Sequence, residues 1–360
     1  MGVKQTLYGL DLKEATEILA SLGEPPYRAR QLLEWLYHRQ VDSWKEISNL
    51  PQPLLGKLRD KFPLKSLIQK EAVESPRGES TKFLFETLDR HLLESVLIRQ
   101  QGRETVCVST QLGCKMKCLF CASGKSFARN LTAGEIVEQV AWIRRQTACR
   151  HKASATRRGF VAGRVTNVVF MGMGEPLDNF EASVKALRIL QADWGFGLGA
   201  RRITVSTVGI TPKIGGFVKE MDGRVRLSVS LHSANEEGRN ELVPVNRRYS
   251  LEGLVKTLST IHRKLKREIT FEYTLLAGVN DTAEEARGVV RIAKPLGAKI
   301  NLIPYNPIRE AGFERPTPKR IQAFRDILQK AGVRVTVRQT AGRQIDAACG
   351  QLRLDRKTLD

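Results

Sequence analysis

Acid is what this chain has too little of. Against 59 lysines and arginines it carries 38 aspartates and glutamates, a formal charge of +21 and a pI near 10.0. Such an excess gathers polyanions around a protein and makes their binding salt-sensitive, so nucleic acid is the first partner to consider. An acidic membrane surface is the competitor, but it would need a long apolar or amphipathic segment, and none is evident. The N-terminal stretch MGVKQTLYGLDLKEATEILASLG lacks the apolar run of a secretory signal. Gly2 and Thr6 match the loose myristoylation pattern, which we read as chance. No strand carries the consecutive-glycine fingerprint of a dinucleotide site, which argues against NAD. Cysteines are few and uneven: 107, 114, 118, 121, 149 and 349, four of the six within fifteen residues. An extracellular disulfide framework spreads its cysteines, so a reducing, cytoplasmic setting and a metal or redox role are expected.

What is present describes a globular enzyme-sized chain. At 360 residues, 41% hydrophobic and 27% charged, it can bury one large domain plus an accessory one. LKEATEILASLG and YRARQLLEWLYHRQ have apolar residues at helical spacing, with Gly23 as a stop between them. TKFLFETLD and HLLESVLIRQ read as two strands joined by a tight turn. From about residue 104, strand candidates at 105–110, 166–172, 202–207, 226–231, 269–275 and 299–305 alternate with helices. These helices begin near Thr132, Asn179, Pro212, Leu251, Thr282 and Pro318. Six βα units in series predict a parallel sheet with helices outside, either doubly wound or a partial barrel. Functional groups then belong on the loops after the strands' C-terminal ends, which is where the cysteines, GMGEP, Ser206 and His232 fall. The segment 149–164 is rich in Arg and Lys and lacks acids. It is either a solvated loop or a phosphate contact.

The spacing CxxxCxxC in GCKMKCLFCASGK gathers Cys114, Cys118 and Cys121. Structural zinc prefers four ligands in paired CxxC motifs; no second pair exists, and His151 could complete a set only by a long reach. A four-iron cluster held by three thiolates leaves one iron open to a small chelating ligand. With Phe120 before the last cysteine, this pattern resembles that of radical S-adenosylmethionine enzymes. MGMGEPLDN (171–179), ITVSTVGI (203–210), SVSLHSANEEGRNELVPVNRRY (228–249), NLIPYNP (301–307) and DAACGQL (346–352) resemble a narrower group. That group is the RlmN-type adenosine methyltransferases of ribosomal and transfer RNA. The resemblance spans nearly the whole chain and is weaker over the first 90 residues.

The resemblance implies an α/β fold, a partial (βα)6 radical-SAM barrel over 104–330. A helical RNA-contacting domain (1–75) and a connecting β-hairpin (76–103) would precede it; a C-terminal strand and mobile loop (331–360) would follow. It implies one 4Fe-4S cluster on Cys114, Cys118 and Cys121, with S-adenosylmethionine chelating the open iron. An external one-electron reductant of flavodoxin or ferredoxin type would drive formation of a 5′-deoxyadenosyl radical. The substrate implied is an adenosine of 23S rRNA, in the peptidyl transferase region, and one 3′ of the anticodon in tRNA, methylated at carbon 2. That ring carbon is electron-poor, so ordinary nucleophilic methyl transfer is closed to it and the cofactors must supply radical chemistry. Cys349 matches the carrier cysteine, which becomes S-methylated and then covalently tethered to RNA. Cys107 matches the resolving thiol and Glu94 the proton acceptor; Cys149 matches no family position. Gly174, Glu175, Ser206, Ser230, Leu231, His232 and Asn306 match the cofactor contacts, and a monomer is expected.

Each of these residues also has an ordinary reading. Cys107 alternates within a strand as small core cysteines do, and Glu94 would by itself be a solvent-facing strand residue. Gly174 and Glu175 could serve only a βα turn, and His232 only a strand end. Cys349 lies among alanines beside Gly350, small neighbours that would let a carrier travel. Arg28, Arg30 and Arg39 could grip RNA or solvate a helix face. The rivals to carbon-2 methylation are the related carbon-8 activity and a non-catalytic zinc-containing RNA-binding protein.

Overall fold

A computed structural model of the chain describes residues 5–100, 102–153, 165–309, 311–338 and 342–353, with backbone alone at 149–153. The side chains of the basic segment 149–164, Cys149 and His151 included, therefore lie outside the described residues.

Three helices open the fold: α1 (Leu12–Ser21), α2 (Tyr27–Leu33) and α3 (Gln52–Lys61). Asp11 starts α1 with a capping box, its side chain accepting from the Glu14 N–H while the Glu14 carboxylate accepts from its own. Next come β1 (Leu67–Glu74), β2 (Ser80–Thr87) and β3 (Leu92–Gln100), an antiparallel meander running into β4 (Arg103–Val108). The expected hairpin is present as β2 and β3. A third strand precedes it, taken from residues that the sequence reading gave to the helical unit. LIQKEAVE is the sheet's edge and is mostly exposed, so it lacks the alternation that marks a half-buried strand.

The barrel then proceeds as βα units. After β4, a small ribbon of β5 (Gln111–Gly113) and β6 (Phe127–Asn130) brackets the cysteine loop and leads into α4 (Ala133–Ala153). Then follow β7 (Asn167–Phe170), α5 (Phe180–Gln191), β8 (Ile203–Thr207), α6 (Thr211–Glu220) and β9 (Arg226–Ser230). The series ends with α7 (Glu236–Leu242), α8 (Leu251–Ile261), β10 (Thr270–Leu275), α9 (Ala283–Ala293), β11 (Lys299–Pro304), α10 (Pro318–Lys330) and β12 (Val335–Val337). Thr282 and Thr317 cap α9 and α10, which is why those helices start beside the expected residues. All six expected strands form, in the order β4-β7-β8-β9-β10-β11, mutually parallel, with β12 added beyond. This is the partial barrel. No helix among the described residues is long and apolar enough to cross a membrane.

The helical unit is fastened to the barrel at two kinds of contact. Buried Glu138 of α4 accepts from the Ser66 and Leu67 backbone N–H groups, and Lys185 of α5 pairs with Glu14 at 2.6 Å. Between them two glycines meet: a Cβ on Gly134 would lie 2.4 Å from the Tyr8 carbonyl oxygen. Neither backbone can give way, so Gly134→Val should cost about 1–3 kcal/mol by overpacking. Thermal unfolding should show the loss as a lower Tm, and an unchanged Tm would mean that the seam between the units is pliable.

Candidate active site

The strand ends converge on one cavity of about 970 Å³, counting its open mouth. The cysteine loop forms one wall. Cys114 closes β5, and Cys118 and Cys121 sit in the following turn, where the Cys121 N–H donates to the Cys118 carbonyl. Cys118 is buried, Cys114 and Cys121 are half-buried, and all three line the cavity with Met116 and Phe120. Burial pushes all three thiols up, Cys114 to about 12, so thiolates here need a metal to hold them. Among the described residues no three Cys, His, Asp or Glu side chains converge as a single ion requires. The donor set, soft thiols spread around one wall of a mostly apolar cavity, therefore fits a cluster better than mononuclear zinc.

The opposite wall is built from β7 to β11. Gly174 has φ +97°, and a Cβ there would lie 2.5 Å from the Gln111 Cβ, so the turn after β7 requires glycine. Both readings of this residue hold, since it also lines the cavity. Glu175 is buried and accepts from the Leu177 N–H at 2.9 Å and the Val208 N–H at 2.8 Å, tying the β7 turn to the end of β8. Burial raises its carboxyl to about 7 against those bonds, so a cationic ligand would favour the ionised form. Ser206 and Ser230 line the cavity at the ends of β8 and β9. His232, at φ +59°, is buried, and its Nδ1 accepts from the Thr274 N–H at 3.0 Å. The ring proton is thereby assigned to Nε2; burial, and then Arg239, push its pKa down to about 3, leaving a neutral donor. Leu231 is the exception: its side chain is wholly in the core, outside the cavity lining, and its N–H donates to the Glu272 carbonyl.

The C-terminal segment 342–353 crosses the cavity as a strap. The Gly350 carbonyl accepts from the Ala122 N–H, the Leu352 carbonyl from the Ser123 hydroxyl, and the Cys349 carbonyl from Asn306 Nδ2. Cys349 is accessible, yet only to the cavity's own space. Beneath the strap, Cys107 of β4 packs with Val96, Met173, Ala347 and Leu352 in a small apolar cluster of its own. Burial, and then the Cys349 sulfur, push the Cys107 thiol up to about 12. Burial likewise raises Cys349, while Arg338 pulls it down. Glu94 stands apart from this cavity, in an adjoining hollow lined by Lys82, Leu84, Ile345 and Arg353.

Three functional neighbours escape the sequence reading. Arg338 lines the cavity; burial opposes its charge, but Cys349, Glu272 and Cys107 outweigh that and hold it firmly protonated. Glu272 accepts from Ser228 Oγ at 3.1 Å and Asn301 Nδ2 at 2.7 Å; a lone acid inside ITFEYTL was the available signal. Arg239 is fully buried and donates to the Val208, Ser230 and Leu231 carbonyls at 2.6, 3.1 and 3.1 Å. It knots together the ends of β8 and β9. Arg239→Leu would leave these carbonyls unpaired, at about 1–3 kcal/mol each. The variant should melt well below the parent by calorimetry, and a parent-like Tm would refute the knot.

The comparisons agree with this architecture. Residues 108–288 match the Radical SAM superfamily, and residues 5–63 match the ribosomal RNA large subunit methyltransferase N-terminal domain. The chain is 43% identical to the probable dual-specificity RNA methyltransferase RlmN 3 of Opitutus terrae, over 98% of this chain and 95% of that one. It is 41% identical to the corresponding RlmN of Desulforamulus reducens, over 97% and 96%. The crystal structure of a radical SAM methyltransferase from Sphaerobacter thermophilus superimposes with a TM-score of 0.89 at 42% identity, covering 98% of this chain and 100% of that one.

Proposed function

This chain belongs to the RlmN-type radical S-adenosylmethionine methyltransferases, and on that premise we propose that it methylates carbon 2 of an adenosine through a methyl group carried on Cys349. The substrates are 23S rRNA in the peptidyl transferase region and the adenosine 3′ of the anticodon in tRNA. One observation carries the reading: Cys349 shares a cavity with Cys114, Cys118 and Cys121, and Cys107 lies beneath the same strap.

A four-iron cluster on the three thiolates, with S-adenosylmethionine and an electron from a flavodoxin- or ferredoxin-type carrier, would supply the radical chemistry. The protein's own residues do the rest. Glu175 offers a carboxylate to the cofactor's ammonium group, while His232 Nε2–H, Ser206, Ser230 and Asn306 supply further polar contacts along the wall. Arg338 favours the Cys349 thiolate, the form that accepts a methyl group. Burial keeps Cys107 protonated at rest, which guards against a premature disulfide with Cys349. Once RNA is tethered, Glu94 accepts the proton from carbon 2. Cys107 then bonds to the Cys349 sulfur as the carrier bond to RNA breaks, and an external thiol reduces the disulfide. The target base must leave its stack to enter such a cavity.

The test is anaerobic reconstitution with iron and sulfide, incubation with reductant, S-adenosylmethionine and unmodified RNA, and mass spectrometry of the digested nucleosides. The proposal expects 2-methyladenosine; 8-methyladenosine would overturn the carbon assignment. A colourless protein binding only zinc would overturn the chemistry altogether.

A further inference from the structure

The hollow beside the main cavity holds a charge pair that the reaction as described leaves unused. Lys82 on β2 lies directly across from Val96, and Glu94 sits one rung further along β3 on the same face. They form a cross-strand diagonal pair, with Lys82 Nζ 3.0 Å from Glu94 Oε1. The two side chains are only 20% and 9% exposed. Glu94 Oε2 is occupied as well, accepting from the Arg353 backbone N–H at 2.9 Å. The groups facing this carboxylate are therefore Lys82 from β2, Arg353 from the strap, Glu71 from β1 across the hollow, and Cys107 of β4 opposite Val96. A buried pair of this kind adds little stability over an apolar pair of equal size. Its location next to the resolving thiol gives it another use.

We propose that Lys82 is the positioning residue for the proton acceptor, holding the Glu94 carboxylate charged and aimed, while the strap's Arg353 N–H caps its second oxygen until the carrier segment lifts. The inference rests on the proton-acceptor role given to Glu94 above. Two physical points support it. Burial alone disfavours the ionised carboxylate that a base must be, and Lys82 is the side chain that most opposes this. The cap and the carrier also belong to one segment, with Cys349 and Arg353 four residues apart. While Cys349 is held at the cluster cavity by Asn306, the base is covered. A strap that moves to present the carrier to RNA uncovers the oxygen that takes the proton. In that step the carbon–hydrogen bonding pair stays with the purine ring, and the proton alone passes to Glu94.

The experiment is a single turnover of RNA by enzyme already methylated on Cys349, followed across pH for the parent, Lys82→Met, Lys82→Arg and Glu94→Gln. Rates that need an ionised base rise with pH. Losing the lysine should move the rising limb about one to three pH units toward alkali, a fall of at least about tenfold at neutral pH. High pH should restore the rate, and Lys82→Arg should keep the parent's profile. Methylation of Cys349 itself, read from the mass of its peptide, should be unaffected in Lys82→Met. A parent-like profile in Lys82→Met beside a stalled Glu94→Gln would overturn this inference alone. An uncompromised Glu94→Gln would overturn the base assignment it rests on. A rate loss in Lys82→Met that no pH restores, with a lowered Tm, would mark the pair as structural and also overturn the proposal.

Discussion

Cys349→Ala should abolish methyl transfer to RNA, by about a thousandfold or more in turnover, while the protein keeps its iron and sulfide. The size of the loss follows from what alanine removes. Without the sulfur there is nowhere to park a methyl group, and the electron-poor ring carbon cannot be methylated by direct nucleophilic attack on the cofactor. The retention of cluster follows from geometry. The strap touches the cysteine loop through the Gly350 and Leu352 carbonyls, both backbone groups, and Cys349 meets Asn306 through its own carbonyl. Alanine preserves each of these bonds. Iron and sulfide analysis beside nucleoside analysis decides the matter. Loss of cluster in the variant would make Cys349 a ligand rather than a carrier.

Cys107→Ala should show the opposite phenotype, protein covalently attached to RNA. The substitution leaves the carrier and the cofactor wall intact, so methylation of Cys349 and attack on the base proceed. Release fails, because the remaining nearby thiols are reserved for the cluster. A denaturing gel should show a shifted, nuclease-sensitive band absent from the parent, and adding Cys349→Ala should remove it. Free RNA methylated at the parent's rate would refute the resolving role. Stability is a minor concern here: Cys107 packs in a small satellite cluster with Val96, Met173, Ala347 and Leu352, where shortening one side chain leaves most contacts in place.

Much of this was readable from the chain because the relevant signals are local. Three cysteines within eight residues share one turn and must meet. Strands RITVST and RLSVSL end in serines that any βα barrel directs to one face. What was not readable depends on long separations or on crowding by similar residues. Cys349 and Cys107 are brought under one strap only by the fold, and the Glu94–Arg353 bond spans 259 positions. Arg338 could not be singled out in a chain with 59 lysines and arginines, although it flanks both reactive thiols. Glu94 read as solvent-facing because polar and apolar residues alternate around it. In the fold its face is covered by the strap, so the same alternation points inward. Leu231 lies between two cavity-lining residues but on the core side, as alternation along β9 dictates.

The most direct test of the relay is the fate of an isotopic label. The reconstituted enzyme is first methylated on Cys349 with 13C-methyl S-adenosylmethionine, freed of excess cofactor, and then given unlabelled S-adenosylmethionine, reductant and RNA for one turnover. Transfer by way of Cys349 predicts that the first methyladenosine released carries the 13C. A first product without label, from enzyme whose Cys349 peptide still holds it, would contradict the carrier account.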